Sequence, residues 1–144
     1  MRRLTAADAR DMASIHAESF ERHWDALEMA AHTQKDVCFG VDENAALGAF
    51  IILSVTAGQA EILTLATTIE ARRQGLARRI LEGVELELQK QNISELFLEV
   101  AEDNMAAIAL YRSARFAPIG RRPAYYRREA GRVAALTFSK KLSI

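Results

Sequence analysis

The sequence predicts a single α/β domain: a mixed, mostly antiparallel twisted sheet flanked by helices. Three observations carry that prediction. The 144 residues are about half apolar and about a quarter charged, the size and balance of one soluble globular domain. Apolar runs of strand length alternate with helical periodicity in the order β-α-α-β-β-β-α-β-α-β-β. The segment strand 62–69, helix 75–91, strand 95–101 has βαβ form, which implies a locally parallel strand pair unless another strand lies between them. No internal repeat, low-complexity tract or linker interrupts the chain, so residues 1–144 are expected to fold as one domain.

Each element has a local reason. Arg2 to Thr5 suits a short first strand. Thr5 with Asp8 forms a capping-box pattern, and Ala9, Met12, Ala13, His16 and Phe20 follow at helical spacing, so a helix to about Glu21 is expected. His16 lies on that apolar stripe and is read first as a hydrogen-bonded core or edge histidine. Asp25-x-x-Glu28 starts a second, short helix ending near His32. Val37 to Val41 and Leu47 to Val55 form a hairpin around Asp42-Glu43-Asn44. Cys38 falls inside it and is read as a buried structural thiol. Gly58 marks the next turn, and Glu61 to Thr68 is a third strand. Leu76, Ile80, Leu81, Val84 and Leu88 then form the stripe of an amphipathic helix that stops at Asn92. Leu96 to Val100 is a buried strand carrying one acid, Glu99. Asp103 or Asn104 caps a further helix containing Tyr111. Phe116 to Gly120 is a strand, Arg121 to Arg132 a polar hairpin tip, and Val133 to Leu142 the last strand.

Composition excludes several function classes. Formal net charge is zero, so bulk attraction to nucleic acid or membrane is not indicated, and no direct nucleic-acid binding is expected. One cysteine permits neither an intrachain disulfide nor a multi-cysteine zinc site, and no metal is expected. No apolar run reaches the length of a membrane span, and Met1 to Thr5 leads into no signal-peptide core. The expected location is the cytoplasm, and the expected state is a monomer or weak dimer.

The stretch from Glu70 to Arg79 breaks an electrostatic rule. The first turn of a helix presents unpaired N–H groups and favours acids. Here the strand-to-helix junction carries Arg72, Arg73, Arg78 and Arg79, with no acid between Glu70 and Glu82. Gly75 lets a ligand approach bare backbone. Together these predict docking of a phosphorylated ligand. Neither a P-loop nor a dinucleotide fingerprint is present.

The form Arg72-x-x-Gly75-x-Ala77, between a strand and a helix, resembles the Arg/Gln-x-x-Gly-x-Gly/Ala motif of the GNAT superfamily of N-acetyltransferases. Phe97-Leu-Glu-Val100, Asp103-Asn104, Ala107-Ile-Ala-Leu-Tyr111 and Phe116 extend the resemblance, as do Gly120-Arg-Arg-Pro123 and Tyr125-Tyr126. The pattern is similar to the bacterial ribosomal-protein-alanine N-acetyltransferase branch. The resemblance implies acetyl-coenzyme A as co-substrate, bound where a parallel strand pair splays. The main chain of Leu65 and Thr67 would pair with its pantetheine arm. Arg72, Arg73, Gln74, Gly75, Leu76 and Ala77 would wrap the pyrophosphate, with Arg78 or Arg79 near the phosphates, and Asn104 would contact the arm. Glu99 would be general base and Tyr111 general acid. A carboxylate flanked by Phe97, Leu98 and Val100 is expected to be partly desolvated, which makes it a better base.

Acceptor choice is expected of the Phe20–Trp24 wall, where Phe20 and Trp24 are read first as hydrophobic anchors and Trp24 as a substrate contact beside that, and of Tyr125 and Tyr126. The acceptor implied is a protein N-terminus, an alanine on a small-subunit ribosomal protein. Four positions depart from the family pattern: Thr67-Thr68-Ile69 replaces Val-x-Pro, Arg115-Phe116 replaces Gly-Phe, His23-Trp24 replaces Pro-Trp, and Val133-Ala134 lacks an acid. Two other readings stand beside this one. The same fold could acetylate a small amine or a lysine side chain. A non-catalytic module could bind coenzyme A, or bind RNA through Arg121, Arg122, Arg127, Arg128 and Arg132 with the two tyrosines.

Overall fold

A computed structural model describes residues 1–143; the last residue of the expected domain lies outside the described residues. Eleven elements run in the expected order: β1 (Arg2–Arg3), α1 (Ala9–Ser19), α2 (Ala26–Lys35), β2 (Val37–Glu43), β3 (Ala46–Thr56), β4 (Gln59–Thr67), α3 (Leu76–Lys90), β5 (Glu95–Ala101), α4 (Met105–Ser113), β6 (Ala117–Arg128) and β7 (Gly131–Lys141). They build one seven-stranded sheet in the order β1-β2-β3-β4-β5-β7-β6. Among the described residues, only β4 and β5 pair in parallel.

Helices cover both faces. On one side α3 presents Leu76, Ile80, Leu81, Val84 and Leu88 to Ile51, Leu53, Ile62, Leu96 and Leu98, and α4 adds Ile108 and Tyr111. On the other, Met12 and Ile15 of α1 and Met29 of α2 pack on Phe50, Ile52 and Ala66. Phe50 and Phe138 are fully buried, each contributing about 2–3 kcal/mol by transfer from water.

Both capping boxes form. Thr5 accepts from Ala7 N–H while Asp8 accepts from Thr5 N–H at 2.9 Å, and Asp25 and Glu28 cap each other's main chain at 2.8 and 3.2 Å. The first becomes a 3-10 turn over Ala6–Asp8 that feeds α1. Helix α1 ends at Ser19, two residues before the expected Glu21, because Phe20 is extended (φ −132°, ψ 136°). Helix α2 runs three residues beyond the expected His32. His32 Nδ1 lies 2.7 Å from Asp36 Oδ2, and Asp36 N–H closes the helix on His32 O.

Two hairpins differ from expectation. β2 continues through Asp42 and Glu43, and the turn is Asn44-Ala45, both with positive φ (54° and 65°). That is the geometry of a type I′ turn, which Asn tolerates and Ala signals poorly. The expected polar tip from Arg121 to Arg132 is instead mostly paired strand, and the turn is only Glu129-Ala130. β6 is the sheet edge, exposed along most of its length. An edge strand shows no apolar alternation, and it admits Pro118 and Pro123 without losing a buried ladder bond.

Candidate functional site

The site begins where β4 and β5 part. They pair from Gln59↔Glu95 to Ile62↔Leu98 and no further. β4 continues along β3 to Thr67, and β5 continues along β7 to Ala101. The cause is a bulge: Ile52 faces Thr64 while Leu53 faces Ile62, so Leu63 is an extra residue. A bulge bends its strand and sharpens the twist. Here it falls one residue after the last parallel pair. It also reverses the strand's parity, so that Ile62 packs toward α3 while Thr64 and Ala66 face α1.

The far half of β4 therefore has an open edge. Thr68 N–H donates to Gly48 O at 2.9 Å, toward β3. Main-chain direction alternates along a strand, so the amides and carbonyls of Leu65 and Thr67 point into the gap. The Ser19 hydroxyl donates to Thr67 O at 3.4 Å from that side.

A cavity of about 930 Å³ fills the gap. It brings together Leu65, Glu99, Asn104, Tyr111, Trp24, Tyr125 and Tyr126 of the sequence-predicted residues. Thr67 and Arg72 to Arg78 are not in its lining; they lie beyond it, along the turn 68–75 and the start of α3. His16, Ser19 and Thr64 line it as well. Sequence reasoning gave them no role there, and the helical spacing of His16 and Ser19 was the one available signal.

Helix α3 starts without a cap. Gly75 occupies the N-cap position in the left-handed region (φ 77°), supplies no side-chain acceptor, and no acid lies in the first turn. The first amides of the longest helix are left for an outside acceptor, with the positive end of the dipole behind them. The arginines are less free than their number suggests. Arg72 reaches Glu18 O (3.3 Å) and Ser19 Oγ (3.2 Å), and so pins the turn to the end of α1. Arg78 donates to Ser113 Oγ at 3.0 Å and pairs with Glu82. Gln74 Nε2 donates to Glu70 O at 2.7 Å, and Leu76 is buried in the core. Arg73 and Arg79 remain exposed. The turn thus offers a ligand mainly main-chain N–H groups and two cations.

Glu99 lies on β5 opposite Thr137, its side chain 21% exposed. The expectation of a carboxylate held by apolar neighbours needs correction. Arg122 of β6 donates to Glu99 Oε1, so the group is ion-paired. The pairing depends on the register of β5, β7 and β6, which the sequence does not display.

Tyr111 is buried on α4, and burial raises its hydroxyl pKa well above the ordinary value. The phenol therefore stays protonated and able to donate. The main chain locks it in place. Phe116 N–H donates to Tyr111 O and Arg115 N–H to Arg112 O, both at 3.0 Å, a Schellman closure with Tyr111 and Phe116 edge-to-face at 5.6 Å. Arg115 takes the left-handed position (φ 71°) where the family pattern has glycine, a conformation that strains a residue with a Cβ. Asn104 caps α4, with Oδ1 accepting from Ala107 N–H at 3.2 Å. Its amide nitrogen is the atom left for a ligand in the cavity.

The Phe20–Trp24 wall is organised by His16. Its Nδ1 accepts from Trp24 N–H at 3.1 Å, so the neutral ring carries its proton on Nε2, which donates to Thr64 Oγ1 at 3.1 Å. Trp24 stacks on the imidazole at 4.9 Å, with the planes 5° apart. Burial pulls the imidazole pKa down to about 4. The core reading of His16 holds, and the ring also faces the cavity. Cys38 is fully buried, with its pKa pushed up to about 11 by burial.

The terminal hairpin is tied down by charge. Arg121, Arg122 and Arg128 pair with Glu102, Glu99 and Asp103. Arg122 lies 4.6 Å over the ring of Tyr125, and Arg128 5.6 Å over that of Tyr126. A free five-arginine phosphate surface is therefore not what the hairpin presents. Among the described residues, no three His, Cys, Asp or Glu side chains gather as metal ligands, and no helix is long and apolar enough to cross a membrane.

Residues 4–116 match the acetyltransferase (GNAT) family. The ribosomal protein bS18-alanine N-acetyltransferase of Escherichia coli is 36% identical over 106 residues, covering 74% of this chain and 72% of its own. The crystal structure of a ribosomal-protein-alanine N-acetyltransferase from Escherichia coli superposes with a TM-score of 0.93 at 30% identity, covering 99% of this chain and 93% of that one. Arabidopsis thaliana NAA60, solved in complex with acetyl-CoA, shares the fold with a TM-score of 0.85 at 16% identity, covering 97% and 96%. The chain belongs to the acetyltransferase (GNAT) family and is an N-acetyltransferase.

Proposed function

We propose that the protein transfers the acetyl group of acetyl-coenzyme A to the α-amino group of a protein N-terminus, an alanine on a small-subunit ribosomal protein in the cytoplasm. The observation that carries this reading is the meeting of Glu99 and Tyr111 in one cavity with the open edge of β4. The residues fit the co-substrate. The amides of Gly75 to Arg78, with Arg73 and Arg79, suit its phosphates. The Leu65 and Thr67 main chain and Asn104 Nδ2 suit an amide-bearing arm laid against β4. When bound, the co-substrate supplies an acetyl thioester, already activated for transfer.

The chain's own groups supply the proton transfers. An α-amino group has a reference pKa of about 8, so at neutral pH it is mostly the non-nucleophilic ammonium. Glu99 takes that proton, directly or through one water. The amine nitrogen then forms a bond to the acetyl carbon as the carbon–sulfur bond breaks. Tyr111 donates its hydroxyl proton to the departing sulfur; the new amide nitrogen gives its surplus proton to the phenolate, and Glu99 releases the first proton to solvent. No covalent enzyme intermediate is needed. Trp24, Tyr125 and Tyr126 form the walls that an entering N-terminus passes.

The test is incubation with acetyl-coenzyme A and a panel of Ala-terminated peptides, lysine peptides and small amines, read by mass spectrometry. The expected product is one acetyl group on the peptide α-amine. Efficient transfer to a small amine or lysine, with none to an Ala-terminated peptide, overturns the acceptor assignment.

A further inference from the structure

We propose that Arg122 is a positioning residue that competes with the acceptor's ammonium group for Glu99 and so sets the acceptor's apparent affinity. The inference rests on the reading of Glu99 as the base. A guanidinium and an α-ammonium are both N–H cations, and each seeks the same carboxylate oxygens. Arg122 already donates to Glu99 Oε1. An acceptor delivering its ammonium to Glu99 must therefore loosen that bond or displace it.

The geometry gives the guanidinium its own approach and a place to go. Glu99 lines both the large cavity and a smaller one of about 260 Å³; Arg122 lines only the smaller. The guanidinium thus reaches the carboxylate from the β6 side, apart from the wall built by Trp24. Between Arg122↔Ala135 and Tyr126↔Val133, β6 carries two more residues than its partner, with Ala124 in the left-handed region. This irregularity sets Tyr125 under Arg122, 4.6 Å from the ring centre. A guanidinium that leaves Glu99 keeps the aromatic face. Arg121–Glu102 and Arg128–Asp103, both at 3.0 Å, hold the hairpin independently. The exchange then needs only a side-chain movement of Arg122, which is 57% exposed. A pair so open to solvent is weak, and its removal changes acceptor affinity by about two- to fivefold.

Two readouts test this on the full chain: calorimetric affinity for an Ala-terminated peptide with coenzyme A present, and steady-state kinetics on the same peptide with acetyl-coenzyme A. Arg122→Gln is expected to tighten peptide binding and lower its KM by about two- to fivefold, with kcat changed by less than about twofold. Arg122→Lys, which keeps a cation near Glu99, shifts both by less than Arg122→Gln does. Guanidinium ion at a non-denaturing concentration competes with the peptide more strongly in Arg122→Gln than in the parent, an effect that a purely structural arginine does not produce. Unchanged or weaker peptide binding by a folded Arg122→Gln overturns the proposal. Peptide binding without turnover in the parent protein overturns the catalytic reading instead, and leaves the affinity comparison to decide the role of Arg122.

Discussion

Mild acid should weaken this fold through one side chain, His16. The ring is 4% exposed and neutral, with Nδ1 accepting from Trp24 and Nε2 donating to Thr64. A second proton has to go on Nδ1, which breaks the bond to Trp24 N–H and places a charge in an apolar wall near His23 and His32. The pKa falls from an ordinary 6.5 to about 4, with burial as the main cause. At about 1.4 kcal/mol per pH unit, the native state forgoes about 3 kcal/mol of proton binding available to the unfolded chain.

The sign follows from the direction. The folded pKa lies below the unfolded one, so between them the unfolded chain binds more protons. Stability is fully present above about pH 6.5, declines as pH falls, and has lost this contribution near pH 4. Carboxylates add a background at the acid end. The useful comparison is therefore urea unfolding of the parent and His16→Gln across that range. A glutamine amide can accept from Trp24 and donate to Thr64 but does not titrate. It loses the stacked ring, so a cost of about 1–2 kcal/mol at neutral pH is expected. The gap between the two proteins should then close or invert by about 3 kcal/mol toward pH 4. Parallel stability profiles refute a lowered His16 pKa in the folded state. So does a nitrogen NMR spectrum showing imidazolium at pH 6.

Two further predictions concern the ends of helices. Arg115→Gly removes a side chain from a left-handed C′ position (φ 71°) and should stabilise the fold by about 0.5–1 kcal/mol, raising Tm, because Tyr111 and Phe116 still close the turn; an unchanged or lower Tm contradicts that reading of the strain. Gly75→Asp sets a carboxylate beside the uncapped start of α3; nothing lies within 4 Å of the new Cβ, but the left-handed backbone (φ 77°) strains any side chain there, so Tm should fall as well. Its carboxylate competes for the free amides, so acetyl-coenzyme A affinity by calorimetry should fall by about tenfold or more. Affinity within about twofold of the parent removes the α3 N-terminus from the binding site.

Much of the fold was legible because its signals are local. Thr5–Asp8 and Asp25–Glu28 are satisfied within four residues, the α3 stripe sits within one helix, and Leu96, Leu98 and Val100 alternate within one strand. Asn92, with φ 58°, ends α3 as expected. What escaped depends on partners far along the chain. The extra residue Leu63 is defined only by β3, yet it opens the gap on which the site depends. The bond from Arg122 to Glu99 spans 23 residues and two strand registers. Arg72 and Arg78 looked like free phosphate ligands because their contacts with Ser19 and Ser113 come from other elements. The β6–β7 hairpin was legible but the length of its pairing was not, because an edge strand needs no apolar face to mark where it ends. Residue types at the site were visible; which of them are already engaged was not.

In the proposed mechanism, Glu99 and Tyr111 perform the two proton transfers in the gap between β4 and β5. Single-turnover rates for Glu99→Gln and Tyr111→Phe, measured with acetyl-coenzyme A and an Ala-terminated peptide alongside the dissociation constant for acetyl-coenzyme A, test it most directly. Rates lower by about 100-fold or more are expected in each variant, with cofactor affinity nearly intact. Parent-like rates in both variants would contradict it.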